Sequence, residues 1–241
     1  MIWTRHLSWP RRTGIALAAC LTATGVFAAD AAMPSCVTAT PEQRIERCSE
    51  MLSRGPGDPP SDQAIAYVNR GRVSLLQGDL DRAFEGLNEA IRLDPENAHA
   101  FAFRADVYQR HGAYEHAWAD LDQAIRLDPD LALAYALRGQ MYADQGKLDD
   151  ALADLNEAVH LDPTSADAYA FRAVVHEATG QASRAMADAK AALAREPDHR
   201  QAAEVKERVR TELATAARSK VTKAKVTKSH ATNERLVADW R

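Results

Sequence analysis

Between residues 64 and 199 apolar positions recur at helical spacing, and that arrangement itself returns every 34 residues. With units starting at Ala64, Ala98, Ala132 and Ala166, positions 4, 8 and 11 hold Tyr67-Gly71-Ser74, Phe101-Ala105-Tyr108, Tyr135-Gly139-Tyr142 and Tyr169-Ala173-His176. The i, i+4, i+7 spacing puts each trio on one helical face, and mixing small with large residues lets a neighbouring helix come close. Position 15 is Gly78, Gly112, Gly146 or Gly180, which predicts a left-handed cap ending the first helix. A second helix is predicted from about position 18, at Asp81, Glu115, Asp149 and Ser183; an acid there suits the positive end of the helix dipole. Its stripe is Ala83-Leu87-Ala90, Ala117-Leu121-Ala124, Ala151-Leu155-Ala158 and Ala185-Ala189-Ala192. Pro95, Pro129, Pro163 and Pro197 stop the second helix and begin the turn to the next unit. Neither helix buries its stripe alone, so consecutive units are expected to stack.

Each unit closes on a similar phrase, EAIRLDP, QAIRLDP, EAVHLDP or AALAREP, in register with the glycine, alanine and aromatic series. This pattern resembles the tetratricopeptide repeat (TPR), a helix–turn–helix unit of that length. The resemblance covers four repeats, 64–97, 98–131, 132–165 and 166–199, a little over half of the chain. It implies an all-α fold, a right-handed α-solenoid of helix–turn–helix repeats. The chain departs from the family pattern at position 7, where Leu is usual and Arg70, Arg104, Arg138 and Arg172 stand. Asn69-Arg70-Gly71 resembles a common bacterial variant of the unit. Position 23 carries Asp120, Asp154 and Asp188, with Gly86 interrupting the series. Because an acid recurs with the same period, partly buried Arg–Asp pairs are expected rather than a row of anion-binding arginines.

The flanks read differently. Residues 1–28 combine Arg5, Arg11 and Arg12 with a short apolar run from Gly14 to Ala28, the form of a secretory signal peptide. Leu17-Ala18-Ala19-Cys20 also matches a lipobox, which would make Cys20 a lipidated terminus. Residues 29–63 are expected to form an N-terminal cap, with Ile45, Cys48, Met51 and Leu52 at second-helix spacing and a turn-rich linker at 55–62. Export would let Cys36 and Cys48 close a small disulfide loop; the alternative is two unpaired thiols. After the repeats, Ala202, Val205, Val209 and Leu213 mark a capping helix over 200–217. Residues 218–241 read as a disordered basic tail.

Charge and chemistry narrow the role. The 241 residues carry a net charge of −4, but residues 29–217 alone hold twenty basic and thirty-two acidic side chains, while residues 218–241 are net +5. That balance argues against a nucleic-acid partner and leaves the tail room for weak contact with anionic envelope surfaces. No nucleophile, phosphate-binding or metal-ligand motif is present, so no catalytic residue, metal or cofactor is expected. The TPR resemblance instead implies a concave groove lined by positions 2, 6, 9 and 13 of each first helix. Those positions supply Ile65, Asn69, Arg72, His99, Phe103, Asp106, Arg110, Leu133, Leu137, Gln140, Phe171 and Val174, with Val68 beside them. Phe103, Leu137 and Phe171 form an apolar row, and the family's carboxylate clamp is missing apart from Asn69 and Arg72. The expected partner is therefore an apolar or amphipathic protein or peptide segment. The reading is a non-enzymatic, exported periplasmic scaffold or adaptor of the bacterial cell envelope. Its alternative is a structural or lipid-anchored envelope protein whose groove is filled by itself.

Overall fold

In a computed structural model of the chain, residues 48–50, 52–53 and 59–238 are described, with side chains as far as residue 223. Residues 1–28, where a signal peptide and a lipidated Cys20 are expected, and Cys36 lie outside the described residues. Four helical hairpins follow one another: α1 (Pro60–Gln77) with α2 (Leu80–Leu93), α3 (Ala98–Arg110) with α4 (Tyr114–Leu127), α5 (Ala132–Asp144) with α6 (Leu148–Leu161), and α7 (Ala166–Ala178) with α8 (Ala182–Arg195). A longer helix, α9 (Arg200–Ala238), completes the stack.

The turns explain the boundaries. Gly112 adopts φ 75°, and beyond it Ala113 N–H reaches back to the Tyr108 carbonyl at 2.8 Å, satisfying an orphan acceptor at the end of α3. Gly78, Gly146 and Gly180 do the same at φ 70–76°. The Asp-Pro phrases fold as turns held by the aspartate: Asp128 Oδ1 accepts from Asp130 N–H at 3.0 Å, and Asp162 Oδ1 from Thr164 N–H at 2.8 Å. The following first helix is capped by Asn97 at α3 and Ser165 at α7, each accepting a backbone N–H three residues on. At α9 His199 takes that role, its Nδ1 accepting from Ala202 N–H at 3.3 Å.

The second-helix stripe is buried throughout: all twelve of its predicted positions, from Ala83 to Ala192, are fully enclosed. First helices are buried on more sides than one stripe, because Ala66, Ala100, Ala134 and Ala168 are also fully enclosed. From α3 onward each first helix of a hairpin is wedged between its own second helix, the preceding second helix and its neighbouring first helices; α1 meets only α2 and α3 among the described helices. Small residues permit this. A Cβ on Gly139 would lie 2.7 Å from Leu155 Cγ and 3.2 Å from the Ala151 carbonyl, so α5 and α6 approach as closely as backbone allows.

Neighbouring first helices touch along the whole stack, whereas successive second helices make no contact with one another among the described residues. First helices therefore line the inner side of the curve and second helices the outer side. At the N-terminal end Cys48 is buried against Ala66, with Leu52 beside it. Since Cys36 is not described, the disulfide expectation falls outside the structure. At the C-terminal end Ala202, Val205 and Val209 are fully buried beneath α7 and α8, and Leu213 is the first partly exposed member of that stripe. The helix does not stop at 217, where the sequence pattern predicts disorder to begin; it continues through Ala238. No Gly or Pro interrupts residues 198–238, and Ala, Lys, Arg and Glu dominate, so no helix-breaking residue ends it. Among the described residues no helix is long and apolar enough to cross a membrane.

Candidate functional site: the inner face

On α1 Ile65 is 40% exposed and Leu76 74%, while Asn69 and Arg72 are half-buried. On α3 His99 and Arg110 are exposed, with Phe103 and Asp106 half-buried between them. Further along, Leu133 and Gln140 of α5 and Phe171 and Val174 of α7 are half-buried, and Asp144 and Asp167 are exposed.

The expected apolar row is largely used up in joining repeats. Phe103 rests on Leu75, Leu87 and Val107 and on Val68 and Ala90. Phe171 packs on Ala136, Ala158, Leu155 and Val175. Leu137 is only 7% exposed, inside the cluster of Leu131 and Met141, and Val68 is 8% exposed against Ala90 and Ala100. Val68 and Leu137 are thus core positions rather than groove surface. The reason is the inner curvature, which turns positions 5 and 6 toward the adjacent first helix.

Polar side chains span the rungs of the inner face. Arg110 forks onto Asp106, with Nε–Oδ1 2.8 Å and Nη2–Oδ2 3.1 Å, and its Nη1 donates to the Leu75 carbonyl of α1 at 3.4 Å. Gln109 Nε2 donates to Asp144 Oδ2 of α5 at 3.3 Å. Although both side chains keep access to solvent, partial desolvation by the neighbouring helices raises Asp144 above the ordinary carboxylate value against the Gln109 hydrogen bond, and lowers His99, with Asp128 opposing it. The face thus offers exposed aliphatic contact near α1 and hydrogen-bonding groups around α3 and α5. Such a surface can bind an extended or helical segment. Among the described residues, no group of three or more His, Cys, Asp or Glu is placed to hold a metal ion.

The arginine series faces away from this surface and is structural. Arg104 binds Asp120 bidentately, Nε–Oδ2 2.7 Å and Nη2–Oδ1 2.8 Å, and Arg138–Asp154 and Arg172–Asp188 repeat the fork. Each third donor reaches back to the preceding second helix: Arg104 to Asn88 at 2.7 Å, Arg138 to Asp122 at 3.3 Å, Arg172 to Asn156 at 3.0 Å. One guanidinium thereby ties three helices. The sequence pattern anticipates the aspartates and misses position 25, although Asn88, Asp122 and Asn156 also recur every 34 residues. Arg70, lacking an aspartate because of Gly86, lies over the Tyr67 ring at 4.8 Å.

His176 departs from its counterparts Tyr108 and Tyr142. It is buried, and burial holds it below the ordinary histidine value, Asp188 pulling upward and Arg172 and Arg184 downward. With the folded value lower than the unfolded one, the folded state binds fewer protons. The neutral ring's contribution is complete above about pH 6.5 and is lost as pH falls through that value toward the depressed one. Thermal melts between about pH 7.5 and about pH 5 should show the wild type losing Tm more steeply than His176→Tyr. Parallel curves would refute a buried, titrating imidazole.

The geometry agrees with what the comparisons show. A thermophilic TPR protein of Thermus thermophilus superposes with a TM-score of 0.56 at 22% identity, over 72% of this chain and 91% of that one. The pilF protein of Pseudomonas aeruginosa gives 0.57 at 20% identity, over 66% and 72%. At these identities the likeness concerns the fold. No curated protein matches in sequence. The ETO1 C-terminal domain family model matches residues 62–214, from the start of the first hairpin into α9. Repeat spacing, hairpin geometry and that match agree: the chain belongs to the ETO1 C-terminal domain family and is a TPR protein.

Proposed function

We propose that this chain is an exported, non-enzymatic TPR scaffold that holds a segment of another envelope protein along its inner face. The observation that carries the reading is the inner face itself. It leaves Ile65 and Leu76 exposed beside half-buried Phe103, with Arg110, Gln109 and Gln140 supplying hydrogen-bonding groups. An amphipathic segment matches that division better than a purely apolar one, because Leu137 is buried and Phe103 and Phe171 are half-buried in contacts between repeats. The charge pattern of residues 1–28 supports export to the periplasm, either as a soluble protein or tethered through Cys20. The net +5 of residues 218–241 supports weak contact with anionic envelope surfaces.

Site-specific photo-crosslinking in the native host tests the role. A crosslinker replacing Ile65 or Gln140 should trap a defined protein adduct, and the same probe replacing Arg82 or Glu85, exposed on α2, should not. Equal trapping from both faces, or none from the inner one, would defeat the groove reading. Cell fractionation with sequencing of the mature N-terminus decides the compartment: a cytoplasmic chain with its first 28 residues intact would defeat the export reading.

A further inference from the structure

Because successive second helices do not touch, a notch opens on the outer side between each pair, floored by the intervening first helix. Two of these notches are closed by paired rings contributed at position 11 and at position 21 of the preceding repeat. Phe84 and Tyr108 meet edge-to-face at 5.4 Å, and Trp118 and Tyr142 sit 4.7 Å apart. Arg104 lies 5.7 Å from the Tyr108 ring, and His116 stacks on it at 5.1 Å. Between the third and fourth repeats both ring positions change, to Leu152 and His176.

A cavity of about 340 Å³ takes the place of the rings, lined by Leu152, Asn156, Arg172, His176, Arg184 and Asp188. His176 has 8% of its surface exposed, and its Nδ1 is buried with no hydrogen-bond partner among the described residues. Its Nε2 faces Asp188 Oδ2 at 3.7 Å, which favours the proton on Nε2 and leaves Nδ1 as an acceptor. A buried acceptor without a donor is costly, and the ring that carries it lines this space together with Leu152 and Arg172.

We propose that this notch binds one aromatic side chain of a partner protein, a tryptophan or tyrosine. Its N–H or O–H donates to His176 Nδ1, and its face lies against Leu152 and the Arg172 guanidinium. Because Nδ1 is enclosed in the unbound chain, the imidazole has to turn toward the notch for this bond to form. The ligand completes the interlock that Phe84–Tyr108 and Trp118–Tyr142 make internally. A side chain is favoured over a nucleobase because residues 29–217 carry a net of −12, which repels a phosphate backbone. The site is on the outer side and stands independently of the inner-face reading.

The test uses the full chain and N-acetyl-tryptophanamide, followed by NMR at the His176 imidazole nitrogens and at the amide of Ala187, which also lines the notch. Saturable shifts at both are expected, with N-acetylalaninamide giving none. The indole N-methylated probe, which has no donor, should bind about tenfold more weakly. The L152W/H176Y variant rebuilds the ring pair of the preceding interface; it should keep its Tm and also bind at least about tenfold more weakly. Absence of saturable shifts at His176, undiminished binding by L152W/H176Y, or adenosine binding in preference to the tryptophan probe would each overturn the proposal. These results leave the crosslinking contrast between Gln140 and Glu85 untouched, so the two readings fail separately.

Discussion

Asp120→Ala should lower the unfolding free energy by about 3 kcal/mol, the usual scale for breaking a buried pair from one side. Arg104 and Asp120 are 18% and 9% exposed, and the guanidinium sits between the Phe101 and Tyr108 rings. Without the carboxylate, Arg104 keeps only the neutral Asn88 amide as partner and remains desolvated. For a domain of this size the loss corresponds to roughly 6–12 °C in Tm. The double replacement R104M/D120L leaves no charge behind and fills similar volume, so it should lose less than half as much. Urea melts of the two single variants and the double variant form the cycle that measures this. If D120A stays within about 1 kcal/mol of wild type, the forked arginines are solvated and do not tie the repeats together.

Leu121→Ala should cost about 4 kcal/mol, toward the upper part of the range for buried leucines. Leu121 is fully buried in the largest apolar cluster, surrounded by Ala102, Ala105, Ala117 and Ala124, with Leu137 and Met141 nearby. Alanines have no torsion with which to move into the void, so the cavity stays open and its lining loses dispersion contacts. Leu87→Ala removes the same atoms from the first repeat. Because a solenoid is held by nearest-neighbour interfaces, a terminal repeat can unfold alone while the middle repeats stay folded. Denaturation followed by hydrogen exchange should therefore show loss of protection confined to α1 and α2 in L87A, and spread across α3 to α6 in L121A. Identical exchange patterns in the two variants would mean that the stack unfolds as one unit and that position along it does not matter.

Legibility followed how local the cause was. The glycine at position 15 acts through its own φ, and the Asp-Pro phrase through hydrogen bonds two or three residues away. Both were therefore readable in order along the chain. The Arg–Asp pairs join residues 16 apart and were readable because both members keep the same beat. The role of Asn88, Asp122 and Asn156 is not legible in the sequence, since a polar side chain on a second helix advertises no partner until the preceding repeat is placed against the next. Helical spacing places Val68 and Leu137 on the groove side because it reports which residues share a face but not what lies opposite, and the packed helices bury both.

By itself, then, the chain's 34-residue beat determined the hairpins, their ends, the buried stripe of every second helix and the presence of an arginine ladder. Only the packed solenoid decided how strongly the inner curve crowds the first helices, which buries Leu137, half-buries Phe103 and leaves Ile65 and Leu76 to solvent. It alone revealed that Leu152 and His176 open a notch where rings close the other two. Curvature and notch arise from distances between helices in different repeats, and those distances depend on the summed volumes of side chains far apart in sequence.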